Sequence, residues 1–137
     1  MTEFSEKSEG ILERAKNLFG KQVQVIIRQE QKLVELVQNV VAKLGKVAEN
    51  SKVQKFIQPI QIFIRMVKAH FRGEHKISIT TLGLIVLALV YFLSPVDFIP
   101  DFLGFLGFAD DLSVVMAVYA KVKDEVESFL DWERTQV

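Results

Sequence analysis

The sequence predicts an all-α protein in which N-terminal amphipathic helices precede a hydrophobic helical hairpin with a turn rich in proline, aspartate and glycine. Three observations lead to this class. Apolar residues recur at helical spacing, no stretch alternates apolar and polar residues as a strand does, and one long segment carries no charge. We place the boundary at residue 50, so that residues 1–50 form a helical arm and residues 51–137 form the hairpin domain.

Length, cysteine content and charge exclude several kinds of function. The 137 residues suffice for one domain, and the absence of cysteine excludes disulfides and thiolate chemistry. Residues 1–9 are polar and are therefore not expected to form a signal peptide. Residues 1–76 carry 14 basic against 8 acidic side chains, and residues 77–137 carry 3 against 9. Because the basic residues are interleaved with acidic and apolar ones along helices, we expect no nucleic-acid partner and favour membrane lipid.

The arm is predicted to contain two helices. The first covers residues 10–19 and can end at Gly20, and the second covers residues 22–48 and ends near Gly45 and Asn50. The apolar stripe of the second helix consists of Ile26, Leu33, Val37, Val40, Leu44 and Val47, widened by Val23, Ile27, Val34 and Val41. This stripe over residues 26–47 has two explanations. It packs on the rest of the protein, or it contacts a protein partner, a second copy or a lipid surface.

A third helix is predicted to start at a Ser51 cap and to continue to Phe71. Pro59 should kink it or restart it near Gln58, and Gly73 should end it. Basic residues gather on its polar face and just beyond it, immediately before the main apolar segment; these are Arg65, Lys68, Arg72 and Lys76.

Residues 77–93 form an apolar segment of 17 residues without a charge. This length lies at the lower limit for a transmembrane helix, and the basic flank would place the N-terminal half on the cytoplasmic side of the cytoplasmic membrane. A return helix over residues 102–120 would place Asp110 and Asp111 inside the bilayer. Each ionised aspartate there raises the free energy of membrane insertion by about 2.5–3.5 kcal/mol. Three arrangements stay open: a hairpin partway into the bilayer, carboxylates facing a protein interior, or a soluble cytoplasmic bundle with a very apolar central helix.

The most specific stretch is residues 91–111, in which an apolar helix with an aromatic end is followed by two prolines, four aspartates and two glycines. The motif residues are Pro95, Asp97, Pro100, Asp101, Gly107, Asp110 and Asp111. This string resembles the signature of the YkvA-like family, also called domain of unknown function 1232, and the resemblance covers about residues 55–133. Members are mostly small bacterial proteins, often predicted to be membrane proteins. The resemblance thus implies a helical membrane protein and supplies no catalytic residues.

The four aspartates are weak candidates for a cation site. Asp97 and Asp101 would share one face of a continuous helix, and Asp110 and Asp111 could meet them across a hairpin. Such a cluster would bind Mg²⁺ or Ca²⁺ and could serve phosphoryl or prenyl-diphosphate chemistry. Helix caps and ion pairs explain the same residues without a ligand, so we predict no cofactor and no confident metal site.

No other catalytic arrangement is recognisable. The sequence has no Ser/His/Asp order or phosphate-binding loop, and His70 and His75, five residues apart, are expected to be solvated rather than metal ligands. We therefore expect a non-catalytic, membrane-associated module that scaffolds or recruits partners. The alternatives are a soluble bundle or oligomer, or a divalent-cation-dependent enzyme or transporter component that uses the aspartates.

Overall fold

The protein is all-helical in every segment that the structure, a computed structural model, describes: residues 2–47, 54–93 and 114–136. The fold class is thus confirmed, whereas the predicted Pro/Asp/Gly turn lies outside these segments, as does the residue-50 boundary. The helices are α1 (Thr2–Arg28), α2 (Glu30–Val47), α3 (Gln54–Phe71), α4 (Ile79–Leu93), α5 (described over 114–121) and α6 (Lys123–Arg134).

The apolar segment becomes α4, which is the central helix. Of its 15 residues 11 are buried, so no polar face is turned to solvent. Helices α1, α2 and α3 all pack against it, with α1 making the most extensive contact. Among the described helices, none combines the length and the apolar character that crossing a membrane requires.

The arm reverses direction beside α4. The Phe19 ring of α1 meets Tyr91 near the end of α4, and Ile27 lies beside Gly83 near its start, so α1 is antiparallel to α4. The chain turns at Gln29, and Lys43 of α2 then reaches Phe92, so α2 is parallel to α4. These contacts place α1 and α2 on the same central helix as an antiparallel pair.

The predicted boundaries within the arm are wrong. Helix α1 continues through Gly20 to Arg28, and the break falls at Gln29 inside the helix predicted over residues 22–48. A glycine inside a helix costs only about 1 kcal/mol. The buried stripe is continuous across it, through Ala15, Phe19, Val23 and Ile26, and its packing outweighs that cost.

Helix α3 is continuous through Pro59, so the expected restart near Gln58 does not occur. Proline removes one intrahelical hydrogen bond, and the fully buried side chains that follow it, including Ile60, Phe63 and Met66, offset the loss. The predicted end at Gly73 is confirmed. Gly73 has φ +73° and donates to the carbonyl of His70, while Glu74 donates to that of Ala69, which together form a Schellman cap.

The last two helices carry an apolar stripe that packs into the core. Its members Val115, Val118, Val122, Val126 and Phe129 are all buried. Phe129 and Trp132 of α6 pack on the ring of His75, with centroid distances of 5.5 and 5.3 Å, so α6 covers the loop between α3 and α4.

Candidate functional site: a groove between α2 and α3

The predicted aspartate site and family motif cannot be placed in the structure. Its residues lie outside the described segments; they are Pro95, Asp97, Pro100, Asp101, Gly107, Asp110 and Asp111. Within the segments that are described, no group of three or more histidine and carboxylate side chains could hold a metal ion.

Both arm helices contact the last turn of α4, α1 through the ring of Phe19 on Tyr91 and α2 through Lys43. Lys43 Nζ donates a hydrogen bond to the carbonyl oxygen of Phe92 and lies 4.8 Å from the centroid of its ring. Because α4 has no basic residue in its last turn, Lys43 supplies the positive charge that stabilises a helix C-terminus. Sequence reasoning missed this role. The available signal was the position of Lys43 between Val40 and Leu44, at the edge of the apolar stripe.

An open apolar groove separates α2 from α3. One section has a volume of about 540 Å³ and the next about 530 Å³, and Val41 borders both. The first section is lined by Glu30, Leu33, Val34, Val37, Gln38, Val41, Val67, Lys68, Phe71 and Arg72. The second is lined by Val41, Leu44, Gly45, Ile57, Gln61, Ile64 and Arg65, so the two helices border the groove in antiparallel directions.

Three apolar side chains of the groove are open to solvent. Val34, Val41 and Phe71 are 48%, 49% and 38% exposed. The main stripe is buried instead, with Ile26 on α1 and Leu33, Val37, Val40 and Leu44 on α2, so these side chains pack within the protein. The flank formed by Val34 and Val41 remains available for an external contact.

Two basic residues border the same groove. Lys68 in the last turn of α3 and Arg72 directly after its end lie one helical turn apart, and neither forms an ion pair with another described residue. Arg65, the preceding basic residue, binds both carboxylate oxygens of Glu133 at 2.8 and 3.1 Å and joins α3 to α6. Of the predicted basic cluster, Arg65 thus joins two helices and Lys68 and Arg72 border the groove, whereas Lys76 does not line it. Glu30 is the acidic residue in the same section of the groove.

The two histidines are packed rather than solvated, which corrects the expectation from sequence. His70 Nδ1 accepts a hydrogen bond from the Ile77 N–H at 3.0 Å, and partial burial, together with the charge of Lys76, lowers the pKa of His70. Burial opposes the charged imidazolium, so the neutral ring is the form that ties this loop to the start of α4.

Comparison with known proteins identifies the family. The family model described as "Protein of unknown function (DUF1232)" matches residues 81–117. Over 80 residues the chain is 34% identical to the "Uncharacterized membrane protein YkvA" of Bacillus subtilis (strain 168). These aligned residues make up 58% of this chain and 76% of that relative. The chain belongs to the YkvA-like family. No solved structure matches it.

The YkvA-like match starts in α4 and ends in α5, so the shared part contains the buried central helix and the Pro/Asp/Gly motif. Helices α1 and α2 and the groove lie outside the residues matched by the family model. The family itself has no established activity.

Proposed function

We propose that the chain is a membrane-associated, non-catalytic helical module that recruits or scaffolds partners. The observation that carries the proposal is its similarity to a bacterial membrane protein across 76% of that relative's length. The groove adds support, because exposed apolar side chains beside lysine and arginine suit a lipid–water boundary, where apolar groups enter the acyl region and cations meet anionic headgroups.

The environment of Thr81, the one buried polar side chain among the described residues, supports a non-catalytic role. Thr81, which is 3% exposed, donates through Oγ1 to Glu125 at 3.2 Å and accepts from Ser78 Oγ at 3.0 Å. Ser78 Oγ in turn accepts from the Thr81 N–H and caps α4. These groups are satisfied by one another, as structural polar groups usually are.

Partner recruitment would use a different surface from lipid binding. On α1, Leu18 and Val25 are seven residues apart and 58% and 43% exposed. They form a short apolar strip on one face of the helix, the pattern by which amphipathic helices contact other helices. A protein partner could therefore bind α1 while the groove between α2 and α3 faces the membrane.

Fractionation of cells that express the chain at a low level tests the proposal. We expect the protein in the membrane pellet. Release by alkaline carbonate would indicate a peripheral association, and release only by detergent an integral one. Recovery in the supernatant before either treatment would contradict membrane association.

A further inference from the structure

We infer that the groove between α2 and α3 binds an anionic phospholipid, with an acyl chain along the groove and the phosphate at Lys68 and Arg72. This inference rests on the proposed membrane association and specifies the surface and the lipid class. It combines three properties of the groove: its length, its apolar lining and its charge at one end.

The length of the groove fits one lipid chain. Its lining on α2 extends from Glu30 to Gly45, which corresponds to about 22 Å at the helical rise of 1.5 Å per residue. The hydrocarbon thickness of one leaflet is about 15 Å, half that of the bilayer core. An extended acyl chain can therefore lie between the two helices along its whole length.

The lining is largely aliphatic. The groove walls are formed by leucine, isoleucine and valine side chains from both helices, and Val34, Val41 and Phe71 are the members most exposed in the free protein. An acyl chain would remove these three side chains from water, which is the dominant favourable term for such a contact. Apolar groups left on a surface in this arrangement are typical of a binding groove.

The unpaired positive charges of the groove lie at one end only, which suits a ligand with one charged end and one apolar end. Lys68 and Arg72 line the first section, whereas in the second section Arg65 is already engaged by Glu133. A phosphate can pair with both free cations, and arginine binds phosphate oxygens through two parallel hydrogen bonds. Glu30 offsets one of the two charges, so one positive charge remains for one phosphate. A lipid, with one charged end and one long apolar end, matches this asymmetry better than a helix with charges along its length.

Vesicle titration tests the charge component. The purified chain is titrated with vesicles of phosphatidylcholine alone and with phosphatidylglycerol added. We expect tighter binding to the anionic vesicles, and about thirtyfold weaker binding for the double variant Lys68→Gln/Arg72→Gln. The matched control is Arg14→Gln/Lys21→Gln, which neutralises two exposed basic residues of α1 and should bind as the unaltered chain does.

Fluorescence quenching tests whether an acyl chain enters the groove. Trp132 is the only tryptophan, so Trp132→Phe provides a dark background. In that background Phe71→Trp reports on the groove and Leu18→Trp reports on an exposed apolar site of α1. Lipids brominated on their acyl chains should reduce emission at least about twofold at position 71 and leave position 18 unchanged. Equal quenching at both positions would overturn the groove as the binding surface.

The outcomes separate this inference from the proposed function. If the unaltered chain binds vesicles and Lys68→Gln/Arg72→Gln binds equally well, the groove inference is wrong and membrane association stands. If the unaltered chain binds neither vesicle type, both fail. A dimer in lipid-free buffer that Val41→Glu disperses, with vesicle binding unaffected by that substitution, would assign the groove to a second copy and overturn lipid binding there.

Discussion

At the scale of single residues, the structure favours the neutral form of the His70 side chain. Its Nδ1 accepts from the N–H of Ile77, which joins the end of α3 to the segment that enters α4. A protonated imidazole has no acceptor at this nitrogen. The lowered pKa of His70 therefore makes the connection between α3 and α4 dependent on pH.

We predict that this residue destabilises the fold as the solution becomes acidic. Since the pKa of His70 is lower in the folded chain than the usual histidine value of about 6.5, the unfolded chain binds the proton first. The stabilising contribution is complete above about pH 6.5 and is lost as the pH falls through the lowered folded-state pKa. Urea unfolding between about pH 7.5 and about pH 5 measures the effect.

The control for this prediction is His70→Gln, which offers a side-chain acceptor that does not titrate. Its free energy of unfolding should fall less over the same pH interval than that of the unaltered chain. The other ionisable groups are common to both proteins, so their effects cancel in the difference. The same pH dependence in both proteins would show that the Ile77–His70 hydrogen bond has no role in it.

At the scale of helices, the three glycines that the sequence offered as breaks behave differently. Gly20 lies inside α1 and Gly45 inside α2, whereas Gly73 follows α3 with a positive φ. The difference lies in the surrounding apolar pattern. Phe19 and Val23 continue the buried stripe across Gly20, but polar residues follow Gly73 and give a longer helix nothing to bury.

Alanine at two of these glycines should therefore have opposite effects. Gly20→Ala should stabilise the fold by about 0.5–1 kcal/mol, because alanine is the better helix former. Gly73→Ala should destabilise it by about 1 kcal/mol, because alanine resists a left-handed backbone. A methyl group at either position would have no neighbour within 4 Å, so backbone conformation alone separates the two variants. Chemical unfolding measures both, and stabilisation by Gly73→Ala would contradict the assigned cap.

The spacing of apolar residues along the sequence predicted which face of each helix is buried. It did not predict which neighbouring helix packs against that face. The buried stripe of α2, with Leu33, Val37 and Val40, was visible in the sequence. The groove was not, because the exposed Val34 and Val41 look the same in sequence as their buried neighbours Val37 and Val40. The contact of Lys43 with Phe92 was also hidden, since it joins residues 49 positions apart. The predicted aspartate site lies outside the described residues and stays a prediction.

At the scale of the whole molecule, the most apolar helix is the one that the others surround. A helix that is apolar on all sides needs an apolar environment on all sides, and neighbouring helices provide it for α4. In the YkvA-like family this helix is part of the matched region, whereas α1 and α2, which cover it here, lie outside the family model. The stability of the fold should accordingly depend most on contacts of α4.

We predict a large difference between two isoleucines of this helix. Ile85 is 0% exposed and Ile79 is 65% exposed. Ile85→Ala should cost about 2–5 kcal/mol, because it leaves a cavity between packed helices. Ile79→Ala should change the free energy of unfolding by less than about 0.5 kcal/mol. Denaturation in detergent-free buffer compares them, and similar small effects would show that α4 is not packed against the other helices.

Membrane association is tested most directly by flotation of the purified chain with vesicles made from total bacterial lipid, because no other protein can mediate the contact. We expect most of the protein to rise with the vesicles, and to remain at the bottom of the gradient when lipid is omitted. Protein that stays at the bottom in both gradients would contradict a direct association with the membrane.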